Sequence, residues 1–223
     1  DVIAATDGIR ITENFCLWPA NWFAIVENSV DQVHTGILHG EGSSRSDVWG
    51  KVPEVDWNED GFGIQTVQIR GDYHRTNYLR FPTTILLNQP WPGGKFDWPR
   101  YSAIFRTPVD DNNTLLFHVT YVPPVNGKLP EIPEGMDLPA AGQVQTLFQQ
   151  DYRAIVTQGR PVDRTRERLG TTDRGIIMLR RKVQAGIDAV RNGEYPEGVI
   201  RGEGADTLLS SQDLVTDGLM SVA

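Results

Sequence analysis

Cysteine is almost absent from this chain: Cys16 stands alone in 223 residues. No intrachain disulfide can form, and a reducing, cytoplasmic setting is the expectation. Histidine is scarce, with four residues. Long apolar runs are missing too, and nothing approaches the ~20 consecutive residues a membrane span needs. Asp1 to Arg10 lack the basic start and apolar stretch of a signal peptide. There is no initiator Met, so a piece of a longer chain is expected. Positive charge is in deficit: 21 basic against 29 acidic residues give a net charge of −8. That excludes general binding to a phosphate backbone, which requires a basic footprint. What the chain does have is enough for a packed core, 39% hydrophobic residues against 22% charged, at a length suiting one large domain.

Periodicity divides the chain into three zones. Residues 15 to about 40 read as helical, with Trp22, Val26, Val30, Val33 and Ile37 at spacings of four and three. Residues 61 to about 124 read as strands: 61–70 alternate, and 78–87, 101–107 and 114–122 are rich in β-branched and aromatic residues. Asp110-Asp-Asn-Asn113 is a turn that predicts antiparallel pairing. Trp91 and Trp98 are expected to pin a long loop, and residues 123–141, rich in Pro and Gly, to form another. Helix returns at Gln143–Thr157 and at Asp173 to about Asn192, with Gly193 as the stop and Ile176, Leu179, Val183, Ile187 and Val190 as the apolar stripe. Basic residues cluster at 160–168 among acidic ones, as on a solvated helix surface. The order of elements indicates an α+β domain.

Two histidines, His34 and His39, lie five residues apart, with Asp31 one turn before the first. On an α-helix they are about 140° apart, so converging imidazoles require the helix to widen or break between them. A π-type bulge would do so, eased by Gly36 in the gap. Converging imidazoles suit a divalent transition metal; the same spacing also fits unrelated histidines on an amphipathic helix. A carboxylate would complete a two-histidine site. Asp173 extends the apolar stripe of the long helix by one turn, placing a charge where a cation would compensate it. It equally suits a helix first turn, where acidic residues are favoured. His74 and His118 lie in strand or turn contexts.

Asn21-Trp22, Glu27-Asn28-x-x-Asp31-x-x-His34-x4-His39 and the block Asp163-Arg-x-x-Glu-Arg-Leu-Gly-x-x-Asp173-x-Gly-Ile together resemble the Rieske non-haem iron oxygenases. The resemblance is to the catalytic, C-terminal domain of the alpha subunit in the phthalate-oxygenase-like branch. It implies a helix-grip fold, an antiparallel sheet around a long C-terminal helix, over residues 1–223. It implies Fe(II) held by His34, His39 and Asp173, Asp31 as the electron-transfer bridge to a Rieske cluster, and Glu27 and Asn28 behind the ligands. It further implies O2, NAD(P)H electrons delivered through a ferredoxin or flavin reductase, an aromatic small-molecule substrate to be hydroxylated or O-demethylated, and a homotrimer when full length. No nucleic-acid or membrane partner is expected. A [2Fe–2S] Rieske centre needs two Cys and two His, which one cysteine cannot supply. The cluster is therefore expected on a domain outside this chain, and the chain alone is expected to be inactive.

For the pocket, Phe117, Val119, Ile104, Phe81 and Leu86 are candidate lining residues, with simple core as the plainer alternative. His118 alternates with Phe117 and Val119 and is expected to face solvent if it does not bind substrate. Arg106 is a candidate partner for a substrate carboxylate, with a plain surface role as the alternative. A zinc hydrolase on the same ligands and a non-catalytic helix-grip ligand carrier remain alternatives.

Overall fold

The structure is a computed structural model. It describes residues 6–39, 50–59, 61–89, 99–131, 146–159, 162–199 and 201. The expected tryptophan loop falls outside the described residues, as does most of 123–141.

Seven strands form one antiparallel sheet: β1 (Ile9–Trp18), β2 (Glu54–Glu59), β3 (Gly63–Arg70), β4 (Tyr73–Arg80), β5 (Thr84–Gln89), β6 (Arg100–Asp110) and β7 (Asn113–Val122). Strands β2 to β7 run as a meander, and β1 adds to β7, giving the order β1-β7-β6-β5-β4-β3-β2. The expected β6–β7 turn is present. Asp110 closes it by accepting from the Asn112 N–H at 2.7 Å and the Asn113 amide at 2.9 Å.

The helices are α1 (Trp22–Val30), α2 (His34–Leu38), α3 (Thr146–Val156) and α4 (Arg174–Arg191). Asn21 caps α1, accepting from the Phe23 N–H at 2.9 Å, while its own amide donates to the Asp111 carbonyl of the β6–β7 turn. Helix α4 matches the expected long helix and ends before Gly193 at φ 78°. Val26, Val30, Ile64, Leu79 and Leu179 bind α1 and α4 to the sheet, with Ile176 and Val183 packed against them. A second cluster, Trp18, Ala20, Ala24, Ile25, Leu116 and Ile155, docks α3 between α1 and β7.

Four expectations about local structure need correction. Residues 15–18 are strand, because Phe15 to Trp18 pair with Thr114 to Phe117 of β7. Only the first half of the α4 stripe is covered, since Ile187 and Val190 are 41% and 60% exposed. Residues 162–173 are not a helix surface but two short 3-10 turns, with Asp163 capping the first. The inner sheet face is the one carrying Ile64, Leu79, Ile85, Ile104 and His118, so Phe117, Val119 and Leu86 point outward. Phe117 there meets Phe15 and Phe105, and Phe81 packs in the α1–α4 core.

Candidate metal centre

The helical zone breaks just before the first of the two histidines. Helix α1 stops at Val30, where the Asp31 N–H makes the last helical bond to the Glu27 carbonyl at 3.0 Å. Asp31 is extended, at φ −82° and ψ 91°. Its carboxylate then accepts from the N–H groups of Val33 at 3.2 Å and His34 at 3.4 Å, starting α2. His34 opens α2 and His39 closes it as the C-cap. No π-type bulge separates them. The short helix simply ends, and the rings meet with centroids 5.3 Å apart. Gly36 has a different task from easing a bulge. It is buried, and a Cβ there would lie 2.6 Å from the Lys51 carbonyl oxygen, so it permits a close backbone approach.

The third member is Asp151 of α3. One carboxylate oxygen lies 3.5 Å from His34 Nε2 and 3.2 Å from His39 Nε2. Among the described residues, this trio is the one group of three or more His, Cys, Asp or Glu side chains placed to hold a metal ion. The outer nitrogens of both rings are engaged. His34 Nδ1 donates to the Asp31 carbonyl oxygen, with the Asp31 carboxylate 3.6 Å away. His39 Nδ1 donates to Gln150 Oε1 at 2.8 Å. Such bonds fix the tautomer and turn each Nε2 lone pair inward. The Asp151 oxygen they face is shut off from solvent and has no hydrogen-bond partner among the described residues. Two inward ring nitrogens converging on one carboxylate oxygen suit a shared cation, proton or metal, and two imidazoles with one carboxylate are the donor set of a mononuclear Fe(II) site with open positions. These residues therefore fit a metal.

Burial disfavours a charged His39, but hydrogen bonding to Asp151, its negative charge and the bond to Gln150 outweigh this and raise the pKa above the usual 6.5. In the metal-free protein a proton thus takes part of the role a cation would fill.

Asp173 is not in the cluster. Its carboxylate accepts from the Gly170 N–H at 2.7 Å, closing the turn that leads into α4. The preference for acidic residues at a helix start accounts for it. The argument applied to Asp173 holds instead for Asp151. Phe148, Tyr152 and Ile155 form the face by which α3 docks, and Asp151 borders that face on the Ile155 side. A carboxylate at the edge of the stripe in Phe148-x-x-Asp151-Tyr152-x-x-Ile155 was the available signal.

Glu27 does not reach the imidazoles. It accepts from Arg164 at 2.6 Å and Arg180 at 2.7 Å, and Arg180 also pairs with Glu167 at 2.7 Å. The ring partners of His34 and His39 are Asp31, Gln150 and Asp151, with Asn28 not among them. His118 faces inward, 3% exposed, with its ring 5.4 Å from Phe148, so it is not the solvent-facing residue expected. His74 is exposed on β4. Arg106 is buried rather than on the surface.

No protein-family model matches the chain. It is 28% identical over 215 residues to the 5,5'-dehydrodivanillate O-demethylase oxygenase subunit of Sphingobium sp. (strain NBRC 103272 / SYK-6), covering 91% of this chain and 50% of the relative. It is 23% identical over 247 residues to the phthalate 4,5-dioxygenase oxygenase subunit of Pseudomonas putida, covering 87% and 55%. The chain is similar to these two oxygenase subunits, in keeping with the resemblance its motifs carry. It spans about half the length of these curated relatives. In fold, the chain is similar to Pseudomonas putida CBB5 NdmB, with TM-score 0.64, 17% identity, and 85% of this chain and 53% of that one covered. It is also similar to dicamba monooxygenase bound to dicamba, with TM-score 0.61, 12% identity, and 86% and 62% covered. The sheet with a long C-terminal helix is thus a fold the chain shares with these two solved structures. No described helix is long and apolar enough to cross a membrane.

Proposed function

We propose that this chain is the catalytic domain of an O2-dependent oxygenase that hydroxylates or O-demethylates an aromatic substrate at a mononuclear Fe(II) site. The observation that carries the reading is the set of two imidazole Nε2 atoms and one buried carboxylate oxygen that face each other. His34, His39 and Asp151 are the ligands. When bound, the iron supplies reductive O2 activation.

The chain's own residues do the rest. Asp31 and Gln150 hold the ring tautomers. The docking of α3 through Phe148, Tyr152 and Ile155 sets the carboxylate against both rings and keeps water from it. Asp31, between the outer nitrogen of His34 and the exterior, 28% exposed, is placed to bridge towards a Rieske [2Fe–2S] cluster carried outside these 223 residues. NAD(P)H electrons reach that cluster through a reductase. The assembly is read as a homotrimer and the location as cytoplasmic. Relatives named for phthalate and dehydrodivanillate suggest an aromatic acid as substrate.

The test is anaerobic titration with Fe(II). About one ion per chain is expected, lost in His34→Ala, His39→Ala and Asp151→Ala. Binding that survives all three substitutions would refute the site.

A further inference from the structure

The junction between α1 and α2 rests on buried amides and a buried cation. Ser29, Gln32 and Thr35 of the junction are buried, as are Gln68 and Arg70 of β3 beneath it. Their hydrogen bonds run in one direction. Arg70 Nη1 donates to Gln68 Oε1 at 2.8 Å. Gln68 Nε2 donates to Gln32 Oε1 at 2.6 Å. Gln32 Nε2 donates in turn to the Ser29 carbonyl of α1. A second branch starts at the same guanidinium: Arg70 Nη2 donates to Thr35 Oγ1 at 2.5 Å, and Thr35 Oγ1 donates to the Gln32 carbonyl at 2.6 Å. The Arg70 Nε donates to the Lys51 carbonyl at 3.0 Å, the oxygen against which Gly36 is packed.

The two ends of the relay decide its sense. An amide side chain can present either its oxygen or its NH2 to a neighbour, whereas a guanidinium only donates and a carbonyl only accepts. Burial, and after it the charge of Arg75, lower the pKa of Arg70 to about 10, so it remains a cation at neutral pH. With Arg70 at one end and the Ser29 carbonyl at the other, Gln68 and Gln32 have one arrangement that satisfies every group. A buried amide turned the wrong way would set oxygen against oxygen, which is costly.

The relay fixes the residue that follows Asp31. Gln32 is tied at both ends of its side-chain amide and at its carbonyl, which sets the plane of the peptide between Asp31 and Gln32. The carbonyl of that peptide is the acceptor of the His34 Nδ1–H. A peptide turned out of this plane leaves that N–H without its acceptor and frees the ring proton to move to Nε2, the atom 3.5 Å from Asp151. A ring nitrogen that carries a proton has no lone pair for a metal.

We propose that Arg70 is a positioning residue for His34: through Gln68 and Gln32 it holds the Asp31 carbonyl where that carbonyl keeps the imidazole in its Nδ1–H tautomer. The inference rests on the oxygenase reading only for the metal that the inward Nε2 would bind.

Proton–nitrogen NMR correlations of the imidazole rings, recorded on the metal-free 223-residue chain at mildly alkaline pH, test this. In wild type the His34 proton is on Nδ1. Gln68→Glu is the decisive variant. A carboxylate keeps the contact with Arg70 and makes it stronger, but has no proton to give Gln32. The His34 preference for Nδ1–H is then lost, while His39, whose Nδ1 bonds to Gln150 of α3, keeps its own. Arg70→Met has the same effect, and Arg70→Lys, which also only donates, restores most of the preference. If Arg70→Met does not fold, Gln68→Glu and Arg70→Lys decide. A role in folding alone predicts that Gln68→Glu leaves the His34 tautomer untouched; that outcome, or a wild type with the His34 proton on Nε2, would overturn the assignment. Fe(II) titration in parallel separates this proposal from the oxygenase reading. Affinity falls by roughly 10–100-fold in Gln68→Glu, the range for a group behind a ligand. Normal iron binding with an unchanged tautomer in Gln68→Glu removes the relay and leaves the oxygenase. A tautomer that depends on Gln68 and Arg70 in a chain that binds no iron does the reverse.

Discussion

Two aspartates compete for the role of third ligand, and thermal denaturation distinguishes them. Binding of Fe(II) to the native state alone stabilises it by about 2.7 kcal/mol at a hundred times Kd. For a chain of this size each kcal/mol moves the midpoint by about 2–4 °C, so saturating Fe(II) should raise Tm by about 5–10 °C. Asp151→Ala removes the carboxylate oxygen that lies 3.2 Å and 3.5 Å from the two Nε2 atoms. Two imidazoles remain, and most of the increment should vanish. Asp173→Ala removes the acceptor of the Gly170 N–H. Losing such a cap costs about 0.5–2 kcal/mol, which lowers the starting Tm, but the Fe(II) increment should remain whole. Anaerobic scanning fluorimetry with and without Fe(II) reads both quantities. An increment kept by Asp151→Ala and lost in Asp173→Ala would refute the assignment drawn from geometry and restore the one drawn from sequence.

Two further outcomes follow from the groups behind the ligands. Gln150→Leu leaves His39 Nδ1 without its 2.8 Å acceptor and should weaken Fe(II) binding by about 10–100-fold; Gln150→Glu, which restores an acceptor, should recover most of it, and an unaltered affinity in the Leu variant would show that Gln150 positions nothing. In the metal-free protein the pKa of His39 is raised despite burial, by Asp151 and Gln150. Protonation there favours the native state: the contribution is fully present below the ordinary value of 6.5 and is lost as pH rises through the native-state pKa. Urea midpoints of the metal-free chain, compared with His39→Gln, should show this loss across that window, while Fe(II) affinity climbs because metal and proton compete; metal-free stability gained through that window relative to His39→Gln would contradict the sign.

Much of the fold was legible. Alternation revealed β3, and β-branched and aromatic content revealed β6 and β7. The 3.6-residue period found α1 and α4, and the Asp110–Asn113 turn joined β6 to β7. What failed did so where tertiary pairing overrides local pattern. Phe15 and Leu17 are apolar at alternate positions on an outer sheet face, 69% and 55% exposed, and run directly into the helical pattern that follows. Strand β2, with a run as polar as Glu-Val-Asp-Trp-Asn-Glu, is an edge strand and has little apolar face to declare it. At the site, the histidine pair was legible from spacing. Asp151 was hidden because carboxylates in helices are ordinary, and only its place between Phe148 and Ile155 marks it.

The block that carries the family resemblance, from Asp163 to Ile176, braces the segment that leads to His34 without joining the His34–His39–Asp151 cluster. Arg164 and Glu167, with Arg180 of α4, surround Glu27 on α1. Gly175 lies where a Cβ would strike Trp57 Nε1 and approach the Val30 carbonyl to 2.6 Å. That carbonyl is the end of α1, and it accepts the Trp57 indole N–H at 2.8 Å. Helix α1 must stop there, because Asp31 leaves the helical conformation in order to start α2 and turn His34 inward. Nothing in Asp31 itself demands the stop, since one extended residue gains little against another helical bond. The indole takes the carbonyl that an added turn would use, and the absent side chain of Gly175 lets α4 press against that junction. The Arg–Glu cluster fixes α1 to α4 one turn earlier. A motif that carries a family resemblance therefore need not contribute a side chain to the candidate site: here it sets the position of the helix end from which His34 is hung, and Asp173 belongs to that brace through its bond to Gly170.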